Sequence, residues 1–263
     1  MDNNVKLKVE EIKQRGFNLD IGSIFNRAWE IFSGIAIYAI LALIIYCIVA
    51  VGMSFVAKLI YTVPAVAVSN MDDVEGMYVE MFTSPLFLLS NLLSLIVSSA
   101  TAPILFSIVT MAKKFDTHQT VGVNDIFAHY SDGKFMNIFL TYFIIQILGS
   151  IGFLLCIIPG IIVYLATVLA VPFILFSNAS IGEAIMASKD VVFRNLGSIF
   201  IYALATIGIV IIGALACGVG LIVAIPLIYI SLYVLYKVII GEDSNNEIEE
   251  IGTDIYKDNP YLK

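Results

Sequence analysis

Apolar residues in this chain fall in long unbroken runs, and the charges collect between the runs. From Phe135 to Ser177 there is no charged residue. A bilayer core about 30 Å thick takes roughly 20 apolar helical residues per crossing, so this run is long enough to cross twice. Pro159-Gly160 lies near its middle and predicts the tight turn of a helical hairpin. A short segment with polar and apolar residues mixed, Asn124 to Tyr130, precedes it, followed by Lys134. The same order returns from Ser180 to Lys237, where Arg194 leads into an uncharged run with Gly218 and Gly220 at its centre. A looser third copy extends from Asp20 to Lys114. The pattern predicts an all-α polytopic membrane protein: six transmembrane helices forming three pseudo-repeated helical hairpins, each preceded by a short interfacial helix.

Span one is expected from about Ile31 to Ala57, closed by Lys58, and span two from Pro85 to Ala112, closed by Lys113 and Lys114. Spans three and four follow as Phe135 to Ile157 and Gly160 to Ser177. Spans five and six follow as Leu196 to Ala216 and Leu221 to Tyr236. The chain then divides into a polar segment over 1–19, a membrane domain over 20–240 and an acidic, solvated tail over 241–263. Ahead of span one, Ile21, Ile24, Phe25, Ala28, Trp29 and Phe32 recur at helical spacing, with Asn18 or Asp20 available as N-cap. They predict either an interfacial helix or the first turns of span one itself. Ser180-Ile-Gly-Glu183 has the form of a capping box opening a helix ahead of span five.

Within the spans, polar residues are few and placed. Ser90, Ser94 and Ser98 stand at i, i+4 and i+8, with Asn91 and Thr101 close to that face, a stripe that should face protein or a cavity rather than lipid. Close helix packing is the plain reading of it, and a solute pathway the sharper one. Gln146 needs a partner inside the membrane, and Gly149, Ser150 and Gly152 beside it predict a helix contact. Each even-numbered span carries a proline: Pro103, Pro172 and Pro226. Each is expected to kink its helix and free a carbonyl for a neighbour, and their equivalent positions support the threefold repeat.

The composition agrees, at 60% hydrophobic and 13% charged residues against about 25% charged in an average soluble domain. The formal charge of −7 says little about partners, because Lys and Arg set orientation in a membrane and acidic residues hardly do. Residues 1–20 mix Lys6, Lys8, Lys13 and Arg15 with Glu10 and Glu11 and lack the apolar centre of a signal peptide. Cys47, Cys156 and Cys217 lie in or at the ends of apolar runs, form no C-x-x-C motif and are expected as free thiols. His118 and His129, with Asp116, Asp125 and Asp132 near them, match no metal-ligand spacing, and a solvated loop is expected there. The chain has no His-Glu-x-x-His, no carboxylate pair within a span and no Ser with an intramembrane His or Lys. No enzyme, cofactor or nucleic-acid partner is expected; the expected partners are membrane lipids and another membrane protein.

The order of surface helix, span, Gly or Pro turn and Pro-bearing span, with Ser-Ile-Gly-Glu-Ala-Ile at 180–185 ahead of span five, resembles a loose group of prokaryotic six-span membrane proteins. The group includes the membrane domain found beside glycerophosphodiester phosphodiesterases and the YciC-like inner-membrane proteins. The resemblance covers roughly Asp20 to Lys237 and implies fold and location. In the phosphodiesterase relatives the chemistry belongs to a separate soluble domain, so no catalytic residue carries over.

Two functions compete on these residues. One is a membrane-organising or accessory role through lipid or protein contacts; the other is transport of a small or lipophilic solute. Orientation is more definite. With six crossings, 13 of the 14 Lys and Arg residues fall on the side of the two termini and only Lys58 on the other. The positive-inside rule then places both termini in the cytoplasm.

Overall fold

The computed structural model describes residues 1–56, 59, 85–216 and 218–241, and all regular structure among them is helical. Six helical stretches are long and apolar enough to cross a membrane: Ile21–Val56, Leu89–Asp116, Phe135–Leu155, Ile157–Ser177, Leu196–Leu215 and Leu221–Ile240. The protein is a multi-pass helical membrane protein. Lys58, the loop after span one, Cys217 and the tail lie outside the described residues.

A helix not foreseen opens the chain: α1, Asn3–Arg15, buries Val5, Val9 and Ile12. These stand at i, i+4 and i+7, one stripe of a helix. The residues from Asp20 onward form no separate interfacial helix. Asp20 caps α2, Ile21–Tyr46, by accepting the amides of Gly22 and Ser23, and the helix continues unbroken into span one. The short helix ahead of span one is therefore α1. A π-helical turn, Cys47–Val51, follows α2.

Span two is α3, Pro85–Asp116. At 1.5 Å per residue its 32 residues extend about 48 Å, longer than the hydrocarbon core, so its last turns project beyond it. A 3-10 turn, Val123–Phe127, and α4, Ala128–Ser131, then fold back along α3.

Span three is α5, Phe135–Leu155. The turn after it sits at Cys156, whose backbone is extended, and not at Pro159-Gly160. Pro159 occupies the first turn of α6, Ile157–Ala166, where its missing N–H costs nothing because the first amides of a helix have no partner. Gly160 serves a different purpose. A methyl group on Gly152 would lie 2.9 Å from the Gly160 backbone, so α5 and α6 touch main chain to main chain. The third hairpin repeats this: a methyl on Gly220 would lie 2.7 Å from Gly213 Cα. Gly149 belongs to the α5–α6 contact, against the ring of Tyr164, whereas Ser150 is exposed.

Span four is broken into α6 and α7, Ala170–Ser177. The break precedes Pro172, as expected of a residue that offers no N–H to the turn before it. A serine from α8, Ile181–Arg194, repairs it: Ser188 Oγ donates to the Ala166 carbonyl at 2.7 Å and accepts the Leu169 amide at 3.1 Å. The capping box of α8 forms, with Glu183 Oε2 accepting the Ser180 amide at 3.1 Å. Spans five and six are α9, Leu196–Leu215, and α10, Leu221–Ile240, joined by a turn with Gly218 at φ +78°. Pro103 and Pro226 lie inside continuous helices, so of the three prolines only Pro172 adjoins a break in its helix.

Candidate functional site: the polar clusters

Three polar clusters stand inside the bundle and a fourth binds α1 to it. The first is built on Asp116, the last residue of α3, whose side chain is 1% exposed. Its Oδ1 accepts from Arg27 Nη2 at 2.5 Å, and its Oδ2 accepts from Tyr233 Oη at 2.7 Å and Lys237 Nζ at 2.8 Å. Arg27 also donates to Glu30 at 2.6 Å. One carboxylate thus fastens the ends of spans one, two and six. Two cations and a phenol thus compensate the buried charge with three hydrogen bonds.

The second cluster is the membrane-level amide. Gln146 Oε1 accepts from Ser98 Oγ at 2.9 Å, and its Nε2 donates to Ser99 Oγ at 2.9 Å. Both ends of the amide are satisfied by adjacent serines of span two. Ser99 is fully buried and stands one residue beyond the spacing that singled out Ser98. The rest of the stripe turns inward on its own helix: Ser94 Oγ donates to the Ser90 carbonyl at 2.9 Å, and Thr101 Oγ1 to the Val97 carbonyl at 2.9 Å. Ser90 and Thr101 are buried, while Asn91 is exposed. A cavity of about 370 Å³ opens beside this cluster, lined by Tyr46, Ala50, Val51, Ser54, Phe55 and Ser98.

In the third cluster His129, expected in a solvated loop, is 3% exposed. Its Nδ1 meets Asp132 Oδ2 at 2.7 Å and its Nε2 meets Thr110 Oγ1 at 3.3 Å. Burial lowers the imidazole pKa, with Asp132 opposing the shift and Lys134 adding to it. A hydroxyl, an imidazole and a carboxylate in line have the order of a nucleophilic triad. Here Thr110 Oγ1 also lies 2.9 Å from the Ser107 carbonyl as donor, and the group ties α4 to α3. The other carboxylates of this loop are engaged: Asp125 accepts from Lys114 at 2.6 Å and from the Gly122 amide at 2.9 Å. Among the described residues no three His, Cys, Asp or Glu side chains stand close enough to share a metal ion.

The fourth cluster joins α1 to α8. Lys6 pairs with Glu183 at 3.0 Å and Lys13 with Asp190 at 2.6 Å. Arg194 Nη2 donates to the Gln14 carbonyl at 2.7 Å, and the Asn195 amide donates to the Phe17 carbonyl. The outer surface of this layer exposes Leu7, Met186 and Phe193.

No protein-family model matches the chain, and no solved structure matches it. Over 89 residues, 34% of its length, it is 35% identical to uncharacterized protein Mb2590 of Mycobacterium bovis and to uncharacterized protein MT2637 of Mycobacterium tuberculosis. It is 34% identical over the same length to uncharacterized protein Rv2560 of Mycobacterium tuberculosis. The matched stretch spans 27% of each of these relatives.

Proposed function

We propose that this protein is a membrane-organising or accessory protein of the cytoplasmic membrane, acting through contacts with lipid or with another membrane protein rather than through catalysis. The observation that carries this reading is the α1–α8 layer. Lys6 and Lys13 pair across it with Glu183 and Asp190, and its surface exposes Leu7, Met186 and Phe193 among charges such as Glu10, Glu11 and Lys189. Amphipathic helices with such a face lie in the headgroup region of a bilayer. The element order that resembles the membrane domain beside glycerophosphodiester phosphodiesterases fits a part that acts by contact, since in those relatives the chemistry lies elsewhere.

Both termini are assigned to the cytoplasm. Lys113 lies over the Phe176 ring at 5.0 Å, Lys134 donates to the Leu175 carbonyl at 2.6 Å and Lys237 meets Arg27 on Asp116. Arg27, Lys113, Lys134 and Lys237 thus stand at one end of the bundle, and the positive-inside rule supports the reading of that end as cytoplasmic. Cysteine accessibility tests the layer and its side together. In a variant with the native cysteines replaced, Met186→Cys should react slowly with a membrane-impermeant thiol reagent, and Lys189→Cys quickly, only in inside-out vesicles. Equal, fast labelling of both would put the α1–α8 face in water and remove the basis of the reading.

A second reading, transport of a lipophilic solute, is favoured by the 370 Å³ cavity beside the π-helical turn and the Ser98–Gln146 pair. π-helical turns are frequent at functional sites. Val51→Trp would fill this cavity; lost flux of a lipophilic dye in proteoliposomes, with an unchanged melting temperature, would favour transport.

A further inference from the structure

The connection from α1 to α2 meets the junction of α8 and α9 at the α1–α8 layer, and the meeting is tightly specified. Gly16 has φ +71°, and a methyl group there would lie 2.6 Å from Asn195 Oδ1. No other residue enters this turn without strain. The Arg194 and Asn195 bonds to the Gln14 and Phe17 carbonyls hold the two connections together. Between them lies a cavity of about 320 Å³ lined by Arg15, Gly16, Phe17, Asn18, Arg194 and Asn195.

Two guanidinium groups and two carboxamides line this cavity, and among the described residues no carboxylate does. Acids on the flanking elements are engaged elsewhere, Glu11 with Lys8, Asp20 as the cap of α2 and Asp190 with Lys13. Arg15 is exposed and has no ion-pair partner among the described residues, and Arg194 gives one bond to a carbonyl. A guanidinium presents five N–H donors in a planar fork that matches phosphate oxygens, and carboxamides add further donors. The site stands where two spans begin, at Ile21 and Leu196, with Phe193, Leu196 and Phe200 exposed next to it. Donors that fit a phosphate thus adjoin an apolar surface that fits acyl chains.

We propose that Arg15 and Arg194 with Asn18 and Asn195 form a site for the phosphate group of an anionic membrane lipid. The inference rests on the reading of the α1–α8 layer as a headgroup-level face and is independent of the accessory role.

Native mass spectrometry of the full chain in nonionic detergent, titrated with dioctanoyl phosphatidylglycerol, tests it. Arg15 has no partner to lose among the described residues, so Arg15→Gln should fold normally and weaken the first lipid adduct by about fivefold, the worth of one arginine beside an anionic headgroup. Lys189→Gln removes the same charge from α8 outside the cavity and should leave that adduct unchanged. Equal losses in the two variants would mean diffuse surface attraction and overturn the proposal, as would an unchanged Arg15→Gln. Gly16→Ala, which blocks the turn without altering charge, should also weaken the adduct. Glycerol 3-phosphate separates the sources: binding as tight as the lipid's would assign the site to a soluble phosphate ester and overturn its lipid half. The thiol-labelling experiment is read without lipid binding, so the layer and the site fail separately.

Discussion

The even-numbered and odd-numbered spans differ in where they sit. In spans two, four and six, 61%, 56% and 61% of the most apolar stretch is buried within the protein. In spans one, three and five the shares are 28%, 28% and 17%. Hydropathy does not separate the two sets, because lipid tails are as apolar as Leu and give no drive for one helix to be inside. The placement of polar side chains does: among the described residues Ser90, Ser99, Thr101, Ser107, Thr167, Ser177 and Ser231 are buried on even spans, and Thr141 on an odd one. Span six turns Tyr233 to Asp116, Tyr236 to Ser177 and Ser231 to Tyr202, and Tyr229 stacks edge-on against Phe106 of span two. Span two supplies Ser98 and Ser99 to Gln146. All eight residues of α7, the second half of span four, are buried. The prolines belong to the same set, since a central helix has neighbours able to satisfy the carbonyl that a proline leaves free. At the span-four break α8 supplies such a neighbour, Ser188, to the Ala166 carbonyl and the Leu169 amide.

The sharpest way to break this comparison is a cavity in one set against the same change in the other. Phe173 is fully buried between Tyr236 and its neighbours, and Phe173→Ala should cost about 3 kcal/mol. That is the low end for a buried Phe, because the transfer part of the loss is small where the reference state is solvated by lipid. Leu204, 51% exposed on span five, should tolerate Ala within about 0.5 kcal/mol. Reversible unfolding in mixed micelles measures both. Equal losses would mean that the even spans are not the core.

Asp116→Asn comes next. It keeps the shape of the hub and removes the charge, leaving Arg27 and Lys237 facing each other across a neutral amide. Both cations are partly exposed, 50% and 31%, so the loss should be about 1–2 kcal/mol rather than the larger figure of a fully buried pair. The melting temperature should fall less for the variant in high salt than in low salt, as exposed cations are screened.

The six spans and their threefold order were legible because a bilayer imposes a length on every crossing, and length survives any detail of packing. What the spans do to one another was not. Asp116 meets Arg27 and Lys237 at separations of 89 and 121 residues, and no local pattern announces such a partner. Gln146 announced its need for partners, and the Ser90, Ser94, Ser98 spacing named one of them. The other, Ser99, was hidden because a helix two residues wide at the contact does not keep strict i+4 order. Helix α1 was readable in Val5, Val9 and Ile12. Its charges at Lys6, Lys8, Glu10, Glu11, Lys13 and Arg15 drew attention from that stripe, although they are the outer faces that an amphipathic helix requires. The turn at Cys156 was missed because Pro-Gly marks turns in water-soluble chains, whereas here the Pro starts a helix and the Gly permits close contact.

The smallest effect concerns the loop that folds back on span two. Burial lowers the His129 pKa against the pull of Asp132, so the unfolded chain binds a proton that the folded chain resists. Stability from this group is complete above its ordinary value of about 6.5. It falls as pH drops below that value toward the depressed folded one, since stability rises with pH wherever the unfolded state holds more protons. The melting temperature should therefore decline between about pH 7 and pH 5, ahead of the carboxylates, which titrate lower. His129→Gln retains an N–H donor for Asp132 without a titrating ring, and should flatten that part of the profile while leaving the acid limb in place. A slope unchanged in His129→Gln would move the proton elsewhere. A slope reversed in the wild type, with stability rising as pH falls from 7, would mean that the Asp132 contact outweighs burial and that the loop is held by an imidazolium.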